Sequence, residues 1–241
     1  MTWNIRQGDV LDRLREMPDE SVQCVITDPP YGMSFRSNWC AGGPRFDNII
    51  GDGEFSMGWA ADLFRVTDSP GSWFIFCDSR RTGDVWANCE SAGMDPRSVV
   101  VWDKQKHGMG DLHRSFGPRH ENAIFATKGD WAFPTKRPTT VLNFAAVPPV
   151  DLLHPAQKPL SLMKFLVRYL SWPQDVILDP FAGSGTTILA AYLLGRDSIG
   201  IELNPEYVAI AERRIKAHDP TATIELAPGV KQASLFTGDM P

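Results

Sequence analysis

Residues 176–203 read VILDPFAGSGTTILAAYLLGRDSIGIEL. A short apolar run ends on Asp179, and Pro180 stops any sheet ladder there. Gly183-Ser184-Gly185 follows, and an apolar helical pattern starts at once and runs to Gly195. Glycines let the backbone come close to a ligand, and a helix N-terminus presents free N–H groups. DSIGIEL is the next strand, and its Glu202 stands 17 positions after Gly185. An acid near that spacing meets a ribose diol in doubly wound nucleotide-binding folds. The turn lacks the lysine of a phosphate-binding loop and the third glycine of a dinucleotide fingerprint. A nucleoside without a pyrophosphate therefore suits it, with an amino-acid tail meeting the N–H groups and Asp179. The alternative is a tight strand-to-helix turn with a surface glutamate.

Outward from this unit, strand-like and helical patterns alternate. That predicts an α/β fold with a mostly parallel sheet. Strands are expected at 3–5, 21–27, 72–78, 99–102, 122–129, 175–180 and 197–203. Helices are expected at 10–17, 57–67, 81–93, 159–171, 188–195 and 205–218. Residues 32–58 form a long loop rich in Gly, Ser and Asn, 130–157 are proline-rich and irregular, and the tail from Asp219 has no pattern. No repeat or low-complexity block is present.

The strand at 21–27 runs into TDPPYG (27–32). Two prolines end the strand and leave a stiff backbone that offers carbonyls but no N–H donors. A carboxylate and an aromatic face then stand on a rigid edge suited to an amine and a flat ring. A plain strand-to-loop turn is the alternative.

The chain of 241 residues is 43% hydrophobic and 22% charged, which fits one globular domain. No apolar run reaches the roughly 18 residues of a membrane span, and the start, MTWNIRQGDV, lacks a secretory h-region. Cys24, Cys40, Cys77 and Cys89 form no CxxC pair, so reduced cytoplasmic thiols and no metal site are expected. The net charge is −5, but residues 97–138 hold eight bases against four acids. A basic face on an acidic body fits an enzyme that touches a polyanion at one surface; a solvated loop region is the alternative.

Together these stretches resemble the β-class of S-adenosylmethionine-dependent DNA amino-methyltransferases, which act on N6 of adenine or N4 of cytosine. The match is carried by QGD (7–9), VITDPPYG (25–32), WFIFCD (73–78), VWDKQKHGMGD (101–111), RHENAIFATKG (119–129), HPAQKP (154–159), DPFAGSGTT (179–187) and GIE (200–202). The resemblance implies a circularly permuted Rossmann-like methyltransferase fold. Its seven-stranded, mostly parallel sheet would have one antiparallel strand and helices on both faces. Residues 1–218 would be a single domain, with loop 32–58 and segment 97–138 as DNA-binding and target-recognition elements and 219–241 as a tail.

The resemblance implies S-adenosylmethionine as cofactor and double-stranded DNA as partner, and leaves a homodimer open. It places Asp179, Phe181, Gly183, Ser184, Gly185 and Thr186 around the cofactor. Glu202 would lie at the ribose, Asp9 at the adenine and Lys158 nearby; a solvent-facing lysine at a helix start is the alternative for Lys158. Asp28, Pro29, Pro30 and Tyr31 would form the catalytic edge. Trp39, Phe116 and Trp131 are aromatic candidates for wedging or stacking, or plain packing residues. The family's usual longer recognition insert is missing from this compact chain. An aspartate in the DPPY position leans towards adenine, with N4-cytosine as the alternative. A non-catalytic DNA-binding module, and methylation of an RNA base or a protein amide, are the other classes weighed. The intact glycine turn and the HPAQKP and WDK motifs favour the DNA enzyme.

Overall fold

A computed structural model describes residues 1–32, 55–107, 113–114 and 116–218. Six helices and eight strands are present among them. The strands are β1 (Trp3–Gln7), β2 (Val22–Thr27), β3 (Thr67–Cys77), β4 (Asp95–Asp103), β5 (His120–Lys128), β6 (Val141–Asn143), β7 (Val176–Asp179) and β8 (Asp197–Glu202). The helices are α1 (Val10–Arg15), α2 (Ala60–Val66), α3 (Thr82–Ser91), α4 (Leu160–Leu170), α5 (Thr186–Leu193) and α6 (Pro205–Lys216).

One sheet runs in the order β1-β8-β7-β2-β3-β5-β4-β6. Only β5 runs against its neighbours, pairing antiparallel with both β3 and β4. Counted from β7, the first seven positions read third, second, first, fourth, fifth, seventh, sixth. This is the permuted doubly wound order, and the order in which strands are added reverses between the parallel neighbours β7 and β2. The sheet has one strand more than expected. Val141–Asn143 adds to β4 from inside the proline-rich stretch, where three residues are too short for any period to show.

Side-chain alternation builds the two cores. In β3, Trp73, Ile75 and Cys77 point to one face with Leu14, Leu63 and Val85 from α1, α2 and α3. Phe74 and Phe76 point to the other, with Leu162, Leu166 and Ala190 from α4 and α5. Both faces are covered, so the central strands read as continuous apolar runs rather than alternating ones. A third cluster joins Ile5, Ile188, Ala211 and Ile215 and seats α6 against α5 and β1.

The register brings eight strand termini to one edge of the sheet: the C-terminal ends of the parallel strands and the start of β5. Cys77 pairs with Asn122, and Asp103 with His120. The segment 97–138 climbs β4 to this edge and returns down β5, which divides its bases. Lys104, Lys106 and Arg119 belong to the edge. Arg97 lies near the start of β4, bonded to Asp95 at 2.7 Å, and Lys128 ends β5 opposite Gly71. Lys128 Nζ donates to the carbonyls of Thr67 at 2.7 Å and Phe64 at 3.3 Å. The segment is therefore not one basic face. Trp131 packs on Phe125 and Phe133, at 5.2 and 4.8 Å between ring centres, and lies half-buried against the core. Phe116 is fully exposed. Trp39, most of loop 32–58 and the tail 219–241 lie outside the described residues.

Candidate active site

Of the two strands flanking the switch point, β7 ends on Asp179 and β2 is followed at once by Asp28, and each aspartate precedes a proline. Asp179 is 4% exposed. Its Oδ1 accepts from Phe181 N at 3.1 Å, and its Oδ2 accepts from Thr187 Oγ1 at 2.5 Å. Burial pushes its carboxyl up to about 6, and no basic side chain pairs with it among the described residues. Phe181, two residues on, is braced edge-on by Trp59 at 5.5 Å.

Gly183 and Gly185 both have left-handed backbones, with φ of +51° and +74°. Their surroundings differ. A Cβ on Gly185 would lie 2.6 Å from the Cβ of Ala211, so the packing of α6 requires a glycine here. A Cβ on Gly183 would lie 3.4 Å from the ring of His154. Arg214, absent from the sequence-based site, reaches across from α6. Its Nη1 donates to Ser184 O at 2.5 Å and Ser184 Oγ at 2.9 Å, and lies 3.1 Å from Thr186 Oγ1. The turn is thus held from behind.

Glu202 ends β8 beside the turn. Its Oε2 accepts from Gly183 N at 2.8 Å and its Oε1 from Asn204 N at 2.7 Å. Asp9 follows β1, the neighbouring strand, where Gly8 N donates to Glu202 O at 3.0 Å. Asp9 itself caps α1, accepting from Leu11 N at 2.9 Å, and is exposed.

Asp28 has both carboxylate oxygens engaged. The Tyr31 hydroxyl donates to Oδ1, and Lys158 Nζ donates to Oδ2 at 2.5 Å. Lys158 is 7% exposed and so is not the solvent-facing lysine. It also lies 2.8 Å from Glu121 Oε2, and Lys104 Nζ lies 2.5 Å from Glu121 Oε1. Phe76 and Trp102 line its remaining sides, at 4.7 and 5.8 Å from Nζ to the ring centres. Burial raises the Asp28 carboxyl and outweighs the pull of Lys158. Burial also opposes charge on Glu121, but Lys158 and Lys104 overcome it and hold that carboxyl at about 2. Burial and the nearby Asp28 charge keep the Tyr31 phenol protonated.

His154 stands between the two aspartates' loops, edge-on to Tyr207 at 4.3 Å. Its Nδ1 accepts from Ala156 N at 3.1 Å, which assigns the proton of the neutral ring to Nε2. Burial, then the charge of Lys158, brings its pKa down to about 4, so the ring is neutral at pH 7.

A small cleft, open to solvent, runs between these groups. Asp28, Lys158, Asp179, Phe181, Gly183, Ser184 and Thr186 line it, together with His154. Of the other residues singled out from sequence, Glu202 and Asp9 lie one and two strands away from β7, at the same edge. Gly185 faces α6, and Pro29, Pro30 and Tyr31 stand beside Asp28. Sequence reasoning missed Glu121, His154 and Arg214. Glu121 and His154 sit inside quoted motifs, but Glu121 meets Lys158 37 positions away and His154 packs on Tyr207 53 positions away.

The order of the sheet and an acid-lined cleft at its switch point define a nucleotide-using α/β enzyme. The family model described as DNA methylase matches residues 22–213, and the chain belongs to that N6/N4 amino-methyltransferase family. The DNA adenine methyltransferase YhdJ of Escherichia coli (strain K12) is 29% identical, over 92% of this chain and 86% of its own. The crystal structure of the M1.HpyAVI–SAM complex superposes with a TM-score of 0.71 at 28% identity, covering 88% of this chain and 100% of the other. The PvuII DNA methyltransferase, titled cytosine-N4-specific, shares the fold with a TM-score of 0.73 at 19% identity, covering 96% and 89%.

The protein is therefore a DNA methyltransferase that uses S-adenosylmethionine. The site suits that cofactor, which carries cationic sulfonium and ammonium groups. Asp179 is a buried acid with no cationic partner among the described residues, and it lies ahead of a helix whose first turn opens on the cleft. No described helix is long and apolar enough to cross a membrane.

Proposed function

We propose that this enzyme methylates the N6 amine of adenine in a short sequence of double-stranded DNA, after flipping the base out of the duplex. The observation that carries the proposal is the aspartate at the end of β2, Asp28, whose carboxylate lines the same cleft as the glycine turn. The cofactor supplies a methyl group activated by its sulfonium. Phe181, Gly183, Ser184 and Thr186 hold it, Asp179 faces its cationic end, and Glu202 and Asp9 take its ribose and adenine.

An exocyclic amine is a weak nucleophile because its lone pair is delocalised into the ring. Asp28 and the Pro29 carbonyl accept its two N–H groups and turn that lone pair towards the methyl donor. They also stabilise the positive charge that grows on nitrogen. A preorganised group of this kind contributes roughly 3–4 kcal/mol in favourable cases. Prolines at 29 and 30 keep competing backbone donors out of this edge. Tyr31 stacks on the flipped base.

Lys104, Lys106, Arg114 and Arg119, which belong to the catalytic-edge part of segment 97–138, serve the DNA backbone, with loop 32–58 completing the target contacts. The buried free thiols Cys24, Cys77 and Cys89 suit a reducing cytoplasm. The name of the relative at 29% identity, a DNA adenine methyltransferase, supports the adenine reading. The test is tritiated methyl transfer to DNA followed by nucleoside analysis. N6-methyladenine is expected, and N4-methylcytosine as sole product would overturn the choice of base.

A further inference from the structure

We infer that Lys158 and Glu121 are positioning residues for the amine-accepting carboxylate: Lys158 clamps one oxygen of Asp28, and Glu121 anchors Lys158 from behind. The inference rests on the proposal that Asp28 meets the target amine. Lys158 Nζ is within 2.8 Å of both acids, so the Asp28 carboxylate cannot rotate without giving up a buried ion pair. The clamp on Oδ2 turns Oδ1, the oxygen bonded to the Tyr31 hydroxyl, towards the site of the base.

The surroundings leave Lys158 no alternative position. Phe76 of β3 and Trp102 of β4 present ring faces to it, and the Trp102 indole is itself fixed by donating to Phe144 O at 2.8 Å. Glu121 on β5 is paired on its other side with Lys104. The array Asp28, Lys158, Glu121, Lys104 alternates in sign and sums to zero, a favourable way to keep charge in a poorly solvated place. One lysine divided between two acids opposes the effect of burial on Asp28 and leaves Oδ1 able to accept a further hydrogen bond.

The two residues therefore act on Asp28 with opposite signs. The other groups facing Asp28 are Tyr31 from its own loop, Cys77 at the end of β3 and Asp179 at the end of β7. His154 faces Lys158. Both variants below leave all of these in place.

The experiment is the pH dependence of kcat/KM for methyl transfer to DNA from a methylation-free host, with saturating cofactor. Its acid limb reports the essential carboxylate in the free enzyme. In Lys158→Met, Asp28 loses its cation and the acid limb should move up by about 1–3 pH units, with activity recovering at high pH. In Glu121→Gln, Asp28 loses a like charge and gains an undivided lysine, so the limb should move down. Cofactor affinity by calorimetry should hold in Glu121→Gln, whose side chain does not line the cleft. A merely structural role would not move the limb in opposite directions. Limbs that stay at the wild-type position, or move the same way, overturn the inference. Should Lys158→Met fail to fold, Glu121→Gln decides alone, and an unmoved limb overturns it. Asp28→Asn separates the two levels. If that variant turns over normally, the Asp28 proposal itself is wrong; if it is inactive while the limbs stay put, only the clamp is.

Discussion

Glu202 Oε2 accepts a hydrogen bond from Gly183 N at 2.8 Å, and this contact ties the end of β8 to the glycine turn after β7. The carboxylate proposed to meet the ribose thus also shapes the turn proposed to hold the rest of the cofactor. Glu202→Ala should weaken S-adenosylmethionine by about 1.5–3 kcal/mol, the range for a hydrogen bond to a charged group. Calorimetry on the enzyme without DNA measures it, and unchanged affinity would remove Glu202 from the cofactor site.

Gly185→Ala should lower the melting temperature more than Gly183→Ala. Both positions have left-handed backbones, which cost an L-residue roughly 1–2 kcal/mol. Only at Gly185 would the added carbon sit 2.6 Å from Ala211 as well. Thermal melts of the two apo variants test this, and equal melting temperatures would contradict the packing argument.

Asp28→Asn should retain cofactor and DNA binding and lose roughly a hundred-fold or more in methyl transfer rate. It keeps the size, removes the charge and offers a donor where the amine needs acceptors. Tyr31→Ala should lose roughly 1–3 kcal/mol of base stacking. Tyr31→Phe should stay active, because the phenyl ring still stacks and Asp28 keeps its clamp to Lys158. Single-turnover rates separate these outcomes, and near-normal turnover of Asp28→Asn would sink the mechanism.

DNA affinity should fall steeply with salt as phosphate contacts release counterions. Replacing Arg114 and Arg119 together should flatten that slope and leave cofactor affinity alone. Arg97→Ala is the control, since Arg97 lies near the start of β4, away from the catalytic edge, paired with Asp95. A slope that responds to Arg97 and not to the other two would place the DNA on a different face.

Asp179 should make stability depend on pH in the unusual direction for an acid. Burial holds its pKa at about 6 in the folded state, above the ordinary 3.8. The folded protein therefore binds this proton more tightly than the unfolded chain does. Its contribution is fully present below pH 3.8 and is lost as pH rises through about 6. Denaturant midpoints of the wild type should fall across that window relative to Asp179→Asn. Parallel curves for the two would count against the burial argument.

The elements that could be read from sequence are those whose signal is local. The strand, turn and helix of 176–195 follow from an apolar run, two glycines and a helical period, and the structure has them at Val176–Asp179 and Thr186–Leu193. The Asp28 edge follows from two prolines that no strand can absorb. β6 escaped because three residues carry no period, and the two ends of segment 97–138 were merged because charge counted along the chain ignores the reversal between β4 and β5.

By itself, the sequence determined the α/β class and the placing of Asp28, Asp179 and Glu202 at or just past strand ends, each from residues close together in the chain, while the permuted order came from the family resemblance of motifs spread over the whole chain. Only the tertiary structure decided what those acids touch. Asp28 meets Lys158 130 positions away, and Gly185 is required by Ala211 on another helix. Glu121 gains its role only because β5 runs beside both β3 and β4. Burial is also a property of the assembled sheet: the same carboxylate that would titrate near 3.8 in the open chain is pushed to about 6 at Asp179, once two layers of helices exclude the water that would solvate it.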